Sequence, residues 1–195
     1  LKILNVFLLS LVSFQFSSCI PYSTLQTPET LPEGKFEISG GTGWLGGTAF
    51  ALEAGGRYGL SEKADMGLKF ALPGILLLDG KYKFYDSGIK ASADMGVSYY
   101  LDATSGSAFG FYPMILIGQD VWYAGVKGNF FSTAGDFSTF GMKSDVKENR
   151  YLATSLITGY RFGNEKTRLL LELNTFIPVD SRVFVVPSVG LQYQF

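Results

Sequence analysis

From Gly34 onward, apolar and polar positions alternate along the chain. The pattern is plainest over 183–195. There Val183, Val185, Pro187, Val189, Leu191, Tyr193 and Phe195 share one set, while the other passes from Phe184 and Val186 to Ser188, Gly190, Gln192 and Gln194. Successive side chains of a strand point to opposite faces, so a period of two predicts a strand with two unlike faces. Ten such stretches are predicted, over 34–43, 48–60, 65–72, 75–85, 89–101, 108–117, 121–130, 150–162, 167–177 and 183–195. One face carries residues such as Phe36, Ile38, Leu52, Phe70, Leu78, Val97, Phe111, Leu156, Leu169, Leu171 and Leu173, and no charge falls on it. The other carries Lys35, Glu37, Glu53, Asp65, Lys127 and ten further charges: Arg57, Lys69, Asp79, Lys81, Lys83, Lys90, Asp94, Arg161, Arg168 and Glu172, with mostly Gly, Ala and Ser between them.

A soluble barrel would turn the apolar face inward; a barrel in a bilayer would turn it outward. Burying the large side chains of ten strands inside one cylinder would overfill it, since about eight strands already enclose a packed interior. The small residues beside the charges suit a narrow lumen. The reading is therefore an all-β, closed, antiparallel up-and-down transmembrane barrel of ten strands, with eight as the alternative. Tyr58, Phe84, Tyr99, Tyr160, Phe162 and Tyr193 suit interfacial girdles near strand ends. Connection lengths agree. Ser61–Ala64, Asp86–Gly88, Gly118–Asp120 and Gly163–Lys166 are short and turn-forming and fall on one side, whereas the longest connection, Phe131–Asn149, falls on the other. Pro113 and Pro187 interrupt two predicted strands and are expected at bulges or rims, because Pro removes a ladder hydrogen bond.

The charges of the inner face are expected to pair across the lumen and plug it; the competing reading is a narrow pore for small solutes. Asp79 and Glu53 are carboxylates that could do acid–base work, but no nucleophile or spacing singles them out. Gly41-Thr42-Gly43-Trp44-Leu45-Gly46 has the glycine spacing of a dinucleotide site. No helix pattern follows to hold a pyrophosphate, so a glycine-rich external hairpin is expected instead. Phe131–Asn149 mixes Phe131, Phe137, Phe140 and Met142 with charges, and is either a ligand-binding loop or a plain external one.

Residues 1–18 hold Lys2, an apolar centre and small residues before Cys19, the pattern of a secretory signal. Phe16-Ser17-Ser18-Cys19 resembles a lipobox, with Phe16 where Leu is usual, and the resemblance implies lipidation of Cys19. This is the single cysteine, so it forms no internal disulfide. Ile20–Glu33, with Pro21, Pro28 and Pro32, reads as an extended tether without a core; the organisation is then a signal over 1–18, a lipidated tether over 19–33 and a barrel over 34–195.

Composition narrows the class. Among 195 residues, 24 Gly, 17 Phe and 11 Tyr favour strands and turns. A net charge of −1 supplies no basic excess for a nucleic-acid partner. After the first residues no apolar run is long enough for a membrane helix.

With its alternation, lipobox and aromatic last strand, the chain resembles small bacterial outer-membrane β-barrel proteins. That resemblance implies an outer-membrane location with lipids as neighbours. It also implies that Val189, Leu191, Tyr193 and Phe195 form the signal read by the barrel-assembly machinery. The common barrel enzymes resemble one another in using a catalytic His, and this sequence has none. The expectation is a non-enzymatic membrane-integrity or surface-interaction protein without metal or cofactor, its external ligand unidentified. A narrow pore is one alternative and a soluble, lipid-anchored, ligand-binding barrel another.

Overall fold

The computed structural model describes residues 23–46, 49–72, 74–102, 106–134, 150–179 and 183–195. These form ten strands in chain order: β1 (Phe36–Gly46), β2 (Ala49–Ser61), β3 (Ala64–Ala71), β4 (Ile75–Ser87), β5 (Ile89–Asp102), β6 (Gly106–Gly118), β7 (Trp122–Ala134), β8 (Arg150–Gly163), β9 (Thr167–Pro178) and β10 (Phe184–Gln194). Each pairs antiparallel with its sequence neighbours, and β1 closes the cylinder against β10 from Glu37 opposite Gln194 to Gly43 opposite Ser188. Closure removes the sheet edges, which hydrocarbon could not satisfy.

Strand β9 settles which face points outward. Leu169, Leu171 and Leu173 are 40%, 44% and 48% exposed, whereas Leu170, Glu172 and Asn174 are 0%, 3% and 1% exposed. The same alternation runs through the other strands. Phe36, Leu52, Leu68, Leu78, Val97, Ile115, Val126, Leu156 and Leu191 point out, and Glu37, Glu53, Arg57, Asp65, Asp79, Asp94 and Lys127 are buried. Greasy outside and ionic inside is the reverse of a water-soluble protein. A soluble, lipid-anchored barrel does not have this surface.

The two ends differ. The short turns at Glu62–Lys63, Gly88, 119–121 and 164–166 lie at one end, with positive φ at Gly88 and Gly163. The connections 47–48, 72–74, 103–105 and 179–183 join strands at the other end, as does the long segment 135–149, which lies outside the described residues. Tyr58, Phe84, Tyr160, Phe162 and Tyr193 face outward near the turn end, and Trp44, Phe50, Tyr99 and Phe109 near the loop end.

The prolines do not mark bulges. The register shifts fall at Trp44/Gly46, Gly59/Ser61 and Lys83/Tyr85. Pro113 lies inside β6, where pairing to β7 lapses between Phe111–Phe130 and Met114–Lys127 and resumes in the same register. Pro187 keeps its place opposite Leu173 of β9, one residue beyond the last pair that β10 makes with β1. In both places a ladder absorbs the missing donor by lapsing or ending, without an extra residue.

Gly41–Gly46 is the second half of β1 and one arm of the β1–β2 hairpin, whose pairing runs out to Gly46 opposite Ala49. The largest departure concerns the tether. Ser23–Leu31 is not free, because it runs down the inside of the barrel, with Leu25 in the left-handed region at φ 44°. All of it except the half-buried Glu29 and Thr30 is buried. It turns back at the short-turn end, where Lys35 N–H donates to Pro32 O (3.0 Å) and Gly34, at φ 77°, donates to Gly59 O (3.0 Å) before β1 begins. The lumen is thus filled by the chain's own N-terminal segment as well as by the side chains of the wall.

Candidate functional site

The interior has two unlike walls with the segment Ser23–Leu31 between them. The wall formed by β2 to β5 is ionic. Arg57 reaches Asp65 (2.5 Å) and Asp79 (2.6 Å), Lys81 reaches Asp65 (3.5 Å), and Lys69 reaches Glu53 (3.1 Å). The wall formed by β6 to β9 carries an apolar patch, Met114, Leu116, Tyr123, Ile157 and Leu170, which closes around Leu25 beside the buried Lys127, Asn129 and Glu172. Gly41 and Gly190 stand opposite each other on β1 and β10, and a Cβ on either would run into the Leu25 side chain. These two glycines make the room that the leucine occupies.

The backbone of the segment is read group by group. Glu172 accepts the N–H groups of Thr24 (2.6 Å) and Leu25 (2.9 Å). Asp65 accepts that of Leu31 (2.9 Å), and Glu53 takes both the N–H (3.3 Å) and the hydroxyl (2.5 Å) of Ser23. The carbonyls are matched in turn: Lys69 donates to Thr24 O (2.8 Å), Gln192 to Leu25 O (3.0 Å) and Lys81 to Thr27 O (3.1 Å). A backbone with no strand partner would leave these groups unpaired; here charged side chains and the Gln192 amide replace the missing ladder.

At the turn end Glu29 anchors the segment. Its carboxylate accepts from Lys90 (2.7 Å) and from Arg161, and Arg168 stands 3.8 Å away. Burial alone would raise its pKa, but the hydrogen bonds from Lys90 and Arg161 outweigh burial and hold it below the ordinary glutamate value. Asp120, fully exposed in the turn between β6 and β7, is likewise lowered by its hydrogen bond from Lys90.

The charges singled out in the sequence thus have distinct places. Arg57, Lys69, Asp79, Lys81 and Glu172 surround the inserted segment. Lys90, Arg161 and Arg168 gather around Glu29 at the turn end, and Arg168 also faces Glu37 (3.7 Å). Lys83 stands at the rim, paired with the exposed Asp86 (2.6 Å) rather than with a group across the lumen. Asp94 is buried opposite Lys81 in register, yet neither of its oxygens has a hydrogen-bond partner. Glu53 and Asp79 serve different partners: Glu53 holds Ser23 and Lys69, and Asp79 holds Arg57 while accepting from Gln26 and Tyr112 (both 3.3 Å). No group of three or more His, Cys, Asp or Glu is placed to hold a metal among the described residues. Val189, Leu191, Tyr193 and Phe195 lie on the outer face, where the Phe195 ring meets Tyr193 edge-on at 4.9 Å. Cys19 and the signal over 1–18 lie outside the described residues.

Sequence reasoning missed the apolar side of the interior. Besides the Leu25 pocket, the loop end holds two buried clusters. One comprises Ile75, Leu77, Tyr100 and Tyr112 with Ala71 and Ala108; the other comprises Phe131, Phe176, Val186 and Ala51. The signal was present: Met114-Ile115-Leu116-Ile117 and Leu169-Leu170-Leu171 are apolar at every position, so both faces of those strands are apolar.

A single chain closed into an even number of antiparallel strands, with its apolar side facing out, defines the class: a transmembrane β-barrel of the bacterial outer-membrane kind. The bacterial outer membrane is accordingly its location. Solved structures similar to this chain include the N-terminal β-barrel domain of OprF from Pseudomonas aeruginosa (TM-score 0.32, 12% identity, covering 85% of this chain and 100% of that one). Others are the outer-membrane protein Ail of Yersinia pestis in a phospholipid bilayer nanodisc (TM-score 0.38, 12%, 84% and 100%) and the translocator domain of the autotransporter NalP from Neisseria meningitidis (TM-score 0.34, 14%, 83% and 86%). No protein-family model matches the chain, and no curated protein does.

Proposed function

We propose that this protein is a closed, non-conducting and non-enzymatic outer-membrane barrel that serves membrane integrity or surface interaction. The observation that carries this reading is the occupied lumen. Ser23–Leu31 is bonded to the walls along its length, and a cavity left beside it, bounded by Gln26, Glu37, Arg57 and Arg168, measures about 10 Å³. That is about the least space one water molecule needs. The ionic groups of the interior are committed to one another and to the inserted backbone, which supports a structural role for them over a catalytic one. Lipidation at Cys19, docking on the barrel-assembly machinery through the last strand, and an external ligand bound at the loop end belong to the same reading. Loss of palmitate labelling in Cys19→Ala tests the first of these.

Incorporation of the full chain into planar phospholipid bilayers tests the main claim. No stepwise conductance is expected at moderate voltage, and stable unit steps from the intact chain would replace this reading with the narrow pore.

A further inference from the structure

We propose that the lumen is a binding site for an extended polypeptide supplied by another chain, and that Ser23–Leu31 is its resident intramolecular ligand. The proposal goes beyond the closed-barrel reading, since it assigns the interior a ligand class and not only a state. Three observations carry it.

First, the recognition chemistry is that of a peptide site. Carboxylates of Glu53, Glu172 and Asp65 take backbone N–H groups, while Lys69, Lys81 and Gln192 meet backbone carbonyls. Main-chain bonds of this kind tolerate many sequences and supply affinity, and a side-chain pocket supplies specificity. Here that pocket takes one leucine, with Gly41 and Gly190 as its floor.

Second, the segment belongs to no strand. Residues 23–32 make no ladder pairing, and the segment joins the wall through the turn at Pro32–Gly34. Its departure would break no sheet hydrogen bond, so the barrel and its ligand are separable structures.

Third, the fit is incomplete. Thr24 Oγ1 and Gln26 Oε1 of the segment, and Gln192 Oε1 and both Asp94 oxygens of the wall, are buried without a hydrogen-bond partner. Buried polar groups are ordinarily satisfied. A segment keeping the leucine but placing donors opposite Gln192 Oε1 and the Asp94 carboxylate would match the lumen better than the resident one does and would displace it.

The test keeps the whole chain. A protease site placed at the exposed Glu33–Gly34 turn allows the folded barrel to be nicked in detergent, leaving the segment held only by non-covalent contacts. A fluorescent peptide with the sequence of residues 23–33 is then added, with heat-modifiability confirming that the barrel stays folded. The labelled peptide is expected to exchange in at one per barrel. Its Leu25→Asp version should bind at least about a hundredfold more weakly, because a carboxylate would enter an apolar pocket. A second route needs no nick: full-length Leu25→Asp, whose own segment is disfavoured, should take up the wild-type peptide where the parent does not. Failure of the peptide to enter either folded barrel overturns the proposal, as does equal binding of both peptides. Either failure alongside a silent bilayer recording leaves the closed-barrel reading standing, and conductance by the intact chain sinks that reading independently.

Discussion

Glu172→Gln is the change that most sharply separates the inserted segment from the barrel that holds it. The Glu172 carboxylate accepts four hydrogen bonds, from Thr24 N (2.6 Å), Leu25 N (2.9 Å), Tyr123 OH (3.0 Å) and Asn174 Nδ2 (2.6 Å). An amide in its place keeps one acceptor and turns an NH₂ toward donors. At least one buried N–H of the segment is then left unpaired, at about 1–3 kcal/mol, and the bonds that persist lose their charge assistance. Docking of the segment should weaken by roughly 3 kcal/mol in all, which is about a hundredfold in the docking equilibrium. Overall barrel stability should move less, because removing a buried charge also removes its desolvation cost. Hydrogen–deuterium exchange followed by mass spectrometry reads both. Amides within residues 23–31 should exchange about a hundredfold faster in the variant, while those of β9 and β10 stay protected. Equal exchange of this segment in the two proteins, with both barrels folded, would refute the role given to Glu172. Unprotected amides in the parent would refute the insertion itself.

Three further changes test other parts of the structure. Leu171→Arg places a cation on the lipid face and should cost about 2–4 kcal/mol if the site lies near the bilayer midplane, read by urea unfolding from phospholipid vesicles. Arg57→Ala takes the cation from Asp79 and leaves Asp65 with Lys81 and the Leu31 N–H, and should cost about 3–5 kcal/mol by the same assay; a neutral result would mean that Asp79 finds another partner. Glu29 supplies a pH dependence. Its folded pKa is held below the ordinary glutamate value of 4.5, so its contribution is fully present above that value and is lost as pH falls through the folded pKa. Exchange of residues 23–31 should therefore accelerate on acidification below pH 4.5, and Glu29→Gln should be loosened already at neutral pH and insensitive over that range.

The barrel was legible in the sequence because lipid imposes a one-sided rule on every strand. Each outward position must be apolar, so even β9, with its three consecutive leucines, declares its face through Arg168 and Glu172. Turn residues such as Gly88 and Gly163 fixed the short end for the same local reasons. The inserted segment was not legible. Ser-Thr-Leu-Gln-Thr-Pro-Glu has no period and no apolar face, and is compositionally a linker. Its burial is dictated by polar and charged groups from Glu53 to Gln192 that converge only once the cylinder closes. Its one apolar anchor, Leu25, is matched by Gly41 and Gly190, which lie 149 residues apart in the chain and become neighbours through the β1–β10 register. The glycines of 41–46 were legible as part of a hairpin, but the room that Gly41 makes for Leu25 was not, because close approach by another segment and a tight turn call for the same residue. The place of Lys83 was missed for a related reason: the bulge at Lys83/Tyr85 sets the end of β4 apart from the simple alternation of the strand.

The central claim is the inverted polarity of the wall, and spin labels placed singly at positions 169 to 174 of β9 in phospholipid vesicles test it most directly. Labels at Leu169, Leu171 and Leu173 should be accessible to oxygen dissolved in the bilayer and shielded from a water-soluble nickel relaxant. Labels at Leu170, Glu172 and Asn174 should be shielded from oxygen. Loss of the alternation, or its reversal with 170, 172 and 174 meeting lipid, would contradict the account.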